Sequence, residues 1–169
     1  MGEFEMRLEG KSYMEIMAAG GGIASTVEAT RAASLDELIE QSSERALRAF
    51  RHGSTTIEVK TGYGLDIEAE HKQLEAIVRM NLWGPYELVP TWMGAHAIPQ
   101  EFNGDAHAYI DFLIRRALPE LKKVLQNYSP NMPLPFVDVF GEQGVFDLES
   151  TRRILLAARG LGFPLKLHA

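Results

Sequence analysis

Cysteine is absent from the 169 residues, so neither a disulfide nor a thiolate metal site can be built, and a reducing compartment suits the chain. Any metal would have to be held by His, Asp or Glu. Cationic residues are in deficit: 17 Lys and Arg against 23 Asp and Glu give a formal net charge of −6 and a pI near 5.4. Binding a polyanion needs clustered cations to neutralise its phosphates, so nucleic acid is not an expected partner. No apolar run approaches the ~20 residues that span a bilayer. The start, Met1-Gly2-Glu3-Phe4-Glu5, also lacks the basic and then apolar pattern of a secretory leader. No membrane partner is expected, and the expected address is the cytoplasm. Low-complexity tracts are missing too, while 46% of residues are hydrophobic and 24% charged, the balance of a globular chain.

What is present is an alternation of helical and extended patterns. Ser12 with Glu15 and Ser34 with Glu37 each spell a capping box, the first for a short helix from Tyr13 that Gly20-Gly21-Gly22 ends. The second opens a helix to about Phe50, with Leu35, Leu38, Ile39, Ala46, Ala49 and Phe50 at helical spacing and Gly53 as terminator. Residues 55–60 are β-branched and alternating, which predicts a strand, followed by the loop Thr61-Gly62-Tyr63-Gly64 and a helix capped by Asp66. The unit recurs: strand at 86–92, loop at 93–103, and a helix from Asp105 to about Asn127 that Pro119 kinks. After the proline-rich loop at 129–135 come a third strand at 136–140, a helix capped by Asp147, and a fourth strand at 165–168.

Such regular βα alternation means a parallel sheet with right-handed crossovers. An open doubly wound sheet would be complete at this length, whereas a (β/α)8 barrel needs roughly 250 residues and would be about half present. Strand parity favours the barrel. Ile57 and Val59 alternate with Glu58 and Lys60, Leu165 and Leu167 with Lys166 and His168, and Asp138 stands between Val137 and Val139. Strands sandwiched between helices on both faces would read as continuously apolar. A part-barrel has open sheet edges and an uncovered inner face, exposing residues such as Leu88 or Val137, whichever parity points inward. The expected partners are therefore a second copy of the chain or the remainder of the barrel.

Three side chains stand where a barrel places its chemistry. His168 ends the fourth strand, where a neutral imidazole can bind a metal; a solvated terminal histidine is the plainer alternative. His96, in Gly94-Ala95-His96-Ala97-Ile98-Pro99, can polarise a carbonyl or move a proton, or simply bond a loop carbonyl. Tyr63 lies between glycines in a strand-to-helix loop, its hydroxyl facing a pocket or its ring forming a rim lid. His52 suits a helix-dipole partner, His71 and His107 look structural or solvated, and Glu142 qualifies by place alone. Glu58 and Lys60 are expected to neutralise each other inside the barrel.

The motifs Glu3-Phe4-Glu5-Met6-Arg7-Leu8, Gly20-Gly21-Gly22-Ile23, Ala29-Thr30-Arg31-Ala32-Ala33-Ser34, Glu58-Val59-Lys60-Thr61-Gly62-Tyr63-Gly64-Leu65, Gly94-Ala95-His96-Ala97-Ile98-Pro99, Asp138-Val139-Phe140 and Lys166-Leu167-His168-Ala169 resemble, in order and spacing, imidazolonepropionase. That family belongs to the amidohydrolase superfamily of metal-bearing (β/α)8 barrels and hydrolyses 4-imidazolone-5-propanoate to N-formimino-L-glutamate in histidine degradation. The resemblance implies one zinc or iron ion per complete barrel, activating water against the cyclic amide. It implies that His168 is a metal ligand, that Tyr63 and His96 bind substrate, and that Tyr13 lies near it. It also implies that residues 1–169 are the central part of the barrel domain, strands two to five, truncated at both ends. A His-x-His pair that binds the metal and an arginine would precede Met1, and an acidic residue, a histidine and a metal-binding aspartate would follow Ala169. One ligand does not hold a catalytic zinc, so the catalytic set is incomplete in this chain, which is expected to be inactive alone. The alternative from another class is a non-catalytic α/β binding or assembly module.

Overall fold

The computed structural model describes residues 3–12, 15, 16, 21, 23–128, 132–142 and 145–169. Two helices that the sequence patterning does not announce come first, α1 (Glu3–Leu8) and α2 (Ile23–Ala32). The Ser12–Glu15 capping bonds form, with Ser12 N–H donating to the Glu15 carboxylate at 2.8 Å. Tyr13, Gly20 and Gly22, on which the rest of that expectation falls, lie outside the described residues. Helix α3 (Leu35–Arg51) has its full capping box: Glu37 N–H donates to Ser34 Oγ at 3.2 Å, and Ser34 N–H to Glu37 Oε2 at 2.8 Å. It ends where Gly53 takes a left-handed φ of 96°.

Strand β1 (Thr56–Lys60) leads to α4 (Ile67–Trp83), begun by Asp66 accepting from Ala69 N–H at 2.7 Å, a cap contributing about 1 kcal/mol. Strand β2 (Glu87–Ala95) runs three residues beyond the expected end at Trp92. Helix α5 (Ala106–Phe112), capped by Asp105, passes into α6 (Leu118–Tyr128) through a π-helical turn, Leu113–Ala117. This turn stands where a kink is expected. Pro119 has no N–H to return to the Arg115 carbonyl and its ring crowds that oxygen, and a turn widened just before it relieves both. Strand β3 (Phe136–Phe140), helix α7 (Leu148–Gly160), capped by Asp147, and strand β4 (Leu165–His168) complete the order, with the strands where the pattern puts them.

The four strands form one parallel sheet in the order β1-β2-β3-β4. A doubly wound sheet would reverse this order partway; sequential order is that of a barrel segment. One face carries the core. Leu88, Trp92, Val137 and Val139 are buried there with Leu74 and Ile77 of α4, Leu118 and Leu121 of α6, and Ile154 of α7. Each large apolar side chain buried this way contributes about 1.5–3 kcal/mol.

Register corrects one expectation. Leu88 pairs with Ile57, and Val137 with Leu165, so both point beneath the helices, with 2% and 0% exposure, and neither lies on the uncovered face. That opposite face is mixed instead, with Val89, Phe136 and Phe140 set among polar groups. It presents Glu58 and Lys60 from β1, Thr91 from β2, Asp138 from β3, and Lys166 and His168 from β4. Glu58 and Lys60 do not chiefly neutralise each other either. Lys166 Nζ and Thr91 Oγ1 each donate to Glu58 Oε1 at 2.6 Å, while Lys60 Nζ donates to Asp138 Oδ2 at 3.0 Å. Residues i and i+2 of one strand stand about 6–7 Å apart, whereas neighbouring strands lie about 4.8 Å apart, so cross-strand pairs win.

Candidate active site at the carboxyl edge of the sheet

His96 reaches this face through a change of parity. Trp92 pairs with Val137 and Ala95 with Val139, so three residues of β2 advance against two of β3: a β-bulge. In an unbroken strand residue 96 would share the side of Trp92, under the helices. The extra residue turns it to the opposite side. There its ring centroid lies 6.1 Å from Tyr63, 6.0 Å from Phe140 and 6.5 Å from His168, and its Nε2 is 3.7 Å from Asp138 Oδ2. Gly94 makes the bulge possible, because a Cβ there would come within 2.2 Å of the Trp92 indole. The hydroxyl of Tyr109 fixes it from below, donating to the Gly94 carbonyl at 2.6 Å.

Tyr63 is held by its loop. Thr61 N–H continues the ladder to the Thr91 carbonyl, and Thr61 Oγ1 accepts from Met93 N–H at 2.9 Å. Beyond it the chain turns over the start of α4, where Gln73 Oε1 accepts from Gly62 N–H at 2.6 Å. Glu70 Oε1 accepts from both Gly64 N–H, at 2.9 Å, and Leu65 N–H, at 3.0 Å. Gly64 has to be glycine, since a Cβ would meet backbone atoms of Ala69 and Glu70 within 3 Å. Helix α2 closes the other side, with Thr30 Oγ1 donating to the Gly62 carbonyl at 2.9 Å and Arg31 Nε to the Gly64 carbonyl at 2.8 Å.

The structure thus brings Tyr63, His96 and His168 to one edge, on the carboxyl side of β1, β2 and β4. Tyr63 is half-buried, His96 buried and His168 exposed. Burial is the main force on His96, pushing its pKa down to about 4 against the opposing pull of Asp138, so the ring is neutral near pH 7. Lys60 is shifted the other way, its ammonium held charged chiefly by the hydrogen bond to Asp138. Asp138 Oδ1 and His96 Nδ1 are buried with no hydrogen-bond partner among the described residues, so the site holds unspent polar capacity. Phe140 packs beside both imidazoles, its ring 6.0 Å from that of His96 and 4.9 Å from that of His168.

The remaining histidines stay apart. His52 is the C-cap residue of α3, where a dipole partner belongs, and His107 is exposed beside the start of α5. His71 is half-buried on α4, its pKa lowered chiefly by burial. Glu142 is exposed beyond β3. Among the described residues no group of three or more His, Asp or Glu is placed to hold a metal ion. Two participants escape the sequence reading: Asp138, noted there for parity and within a motif but not as a site residue, and Glu70, which sits among ordinary helix-surface carboxylates until its burial is seen.

No protein-family model matches the chain. Individual proteins do. It is 48% identical over 167 residues to the imidazolonepropionase of Alkaliphilus oremlandii, an overlap of 99% of this chain and 38% of that one. The imidazolonepropionase of Herpetosiphon aurantiacus is 46% identical over 98% of this chain and 39% of its own. That of Chloroflexus aggregans is 47% identical over 98% and 39%. The chain therefore spans just under two fifths of the length of these relatives and, along nearly all of its own length, is homologous to that fragment of imidazolonepropionase.

Proposed function

We propose that the chain supplies the part of an imidazolonepropionase barrel that binds 4-imidazolone-5-propanoate and contributes one metal ligand, serving the hydrolytic opening of the ring to N-formimino-L-glutamate. The observation that carries this reading is the meeting of Tyr63, His96 and His168 at one sheet edge. Barrel enzymes assemble their sites at that edge, and three independent loop and strand ends converge there. The Tyr63 hydroxyl donates to or accepts from a polar atom of the substrate ring or carboxylate. His96, neutral and screened from water, offers a directed hydrogen bond at a carbonyl whose oxygen gains charge as water adds. Asp138 and Lys60 fix the charge behind it.

The zinc or iron ion implied by the family fits this stretch only in part. His168 presents one imidazole, and the described residues add no cluster around it. A lone imidazole does not hold an ion against water, so the other ligands belong to segments other than these, and no catalytic step is drawn through the ion here. Substrate contact is testable without it being resolved. The matched stretch of the Alkaliphilus oremlandii enzyme is replaced by this chain, and ring opening is followed spectroscopically. Tyr63→Phe and His96→Ala each raise KM or lower kcat/KM by about tenfold to a hundredfold, the loss of one hydrogen bond to a polar or charged group. Unchanged kinetics in both variants would remove the two residues from the site and favour a non-catalytic module.

A further inference from the structure

Glu70 is a buried carboxylate with no part in the chemistry above. It is 3% exposed on the first turn of α4, facing the underside of the loop that carries Tyr63. Its Oε1 collects the consecutive N–H groups of Gly64 and Leu65, and the Thr61 side chain of the same loop lies against the carboxylate. A carboxylate taken out of water this completely is destabilising unless it is hydrogen-bonded, and here the bonds go to one place. Leu65, at a φ of 60°, holds a left-handed conformation that a leucine adopts only under constraint. Gly64 lies so close to α4 that nothing larger fits. The loop is thus pressed onto the helix in a shape its own residues do not favour; from α4 it is anchored by Gln73 at Gly62 and Glu70 at Gly64 and Leu65, while Thr30 and Arg31 of α2 hold the Gly62 and Gly64 carbonyls.

We infer that Glu70 is a positioning residue, which clasps the 61–65 loop and thereby sets the Tyr63 ring against His96. It acts as a double acceptor from behind the loop and touches neither ring. This rests on the reading of Tyr63 as a substrate contact for its functional meaning, but the clasp is measured with no substrate present. The failure of one is therefore distinguishable from failure of the other.

The whole 169-residue chain is studied as wild type, Glu70→Gln and Glu70→Ala, with ring-labelled tyrosine and histidine, by amide exchange and by cross-relaxation between the Tyr63 and His96 rings. In the wild type the Gly64 and Leu65 amides are protected and the ring contact is seen. Glu70→Ala loses both, at least tenfold in local protection, while amides of β2 and β3 keep theirs. Glu70→Gln, whose side-chain carbonyl is the same acceptor, restores the ring contact and most of the protection. The inference is overturned if the wild-type loop exchanges freely, if Glu70→Ala retains the contact, or if Glu70→Gln behaves as Glu70→Ala. A loss of protection spread equally over the sheet in Glu70→Ala would likewise overturn it, since that is a structural role without a local target.

Discussion

Single side chains decide the character of this site, and Glu70 has a pH signature of its own. Free glutamate titrates near 4.5; burial raises Glu70 above that, with Asp66 adding to the rise and Thr61 and the loop amides opposing it. The folded state therefore keeps the proton to higher pH than the unfolded state does. Its contribution is fully present below the unfolded pKa and is lost as pH rises from about 4.5 through the folded value. Glu70→Gln keeps the acceptor and does not titrate. Urea midpoints measured across that window should converge toward low pH, with Glu70→Gln gaining on the wild type as pH rises; parallel curves would contradict this. Tyr63, His96 and His168 were legible in the sequence because each sits at a strand end or in a glycine-flanked loop, positions that topology alone assigns to one edge. Glu70 was not. Position 70 reads as one more carboxylate in a first helical turn, and only the loop folding back over it makes it buried.

At the scale of elements, caps and alternation carried the assignment. Ser34 with Glu37, Asp66, Asp105 and Asp147 start helices where local hydrogen bonding requires, and β3 and β4 have the bounds that their alternation gives. Strand β2 defeated the pattern in an instructive way. Its bulge between Trp92 and Ala95 shifts parity, and a period-two reading ends where the period breaks. The side on which His96 falls follows from that bulge. Gly94→Ala tests it, since the new methyl would overlap the Trp92 indole. It should cost about 1–3 kcal/mol by overpacking and turn His96 out of its buried place toward water, relieving the burial that depresses its pKa. Urea unfolding reads the first effect, and a rise in the depressed His96 pKa, followed by its ring resonances, reads the second. Wild-type stability and titration in the variant would show that the bulge tolerates a side chain.

For the whole molecule, the sheet order and the inner face speak together. Among the described residues β1 and β4 each pair with one strand, so each has a free side of backbone donors and acceptors. The inner face, by contrast, carries the Glu58–Lys166 and Lys60–Asp138 pairs beside Val89, Phe136 and Phe140, so it is not a continuous apolar surface. Association of the isolated chain should therefore run through the strand edges. Sedimentation velocity should show concentration-dependent growth beyond the monomer that persists at 0.5 M salt, where screening would dissolve a contact between charged faces. A compact monomer at every concentration would mean that both edges are covered.

On the proposed function, these residues are a working part of an imidazolonepropionase and not a sufficient whole. Ring opening of 4-imidazolone-5-propanoate, followed side by side for the isolated chain, for this chain seated in the Alkaliphilus oremlandii enzyme, and for that chimera with His168→Ala, tests it most directly. The prediction is no turnover by the isolated chain, turnover by the chimera, and a fall to background with loss of bound metal in His168→Ala. Turnover by the pure isolated chain that His168→Ala abolishes, or a chimera indifferent to His168→Ala, would contradict it.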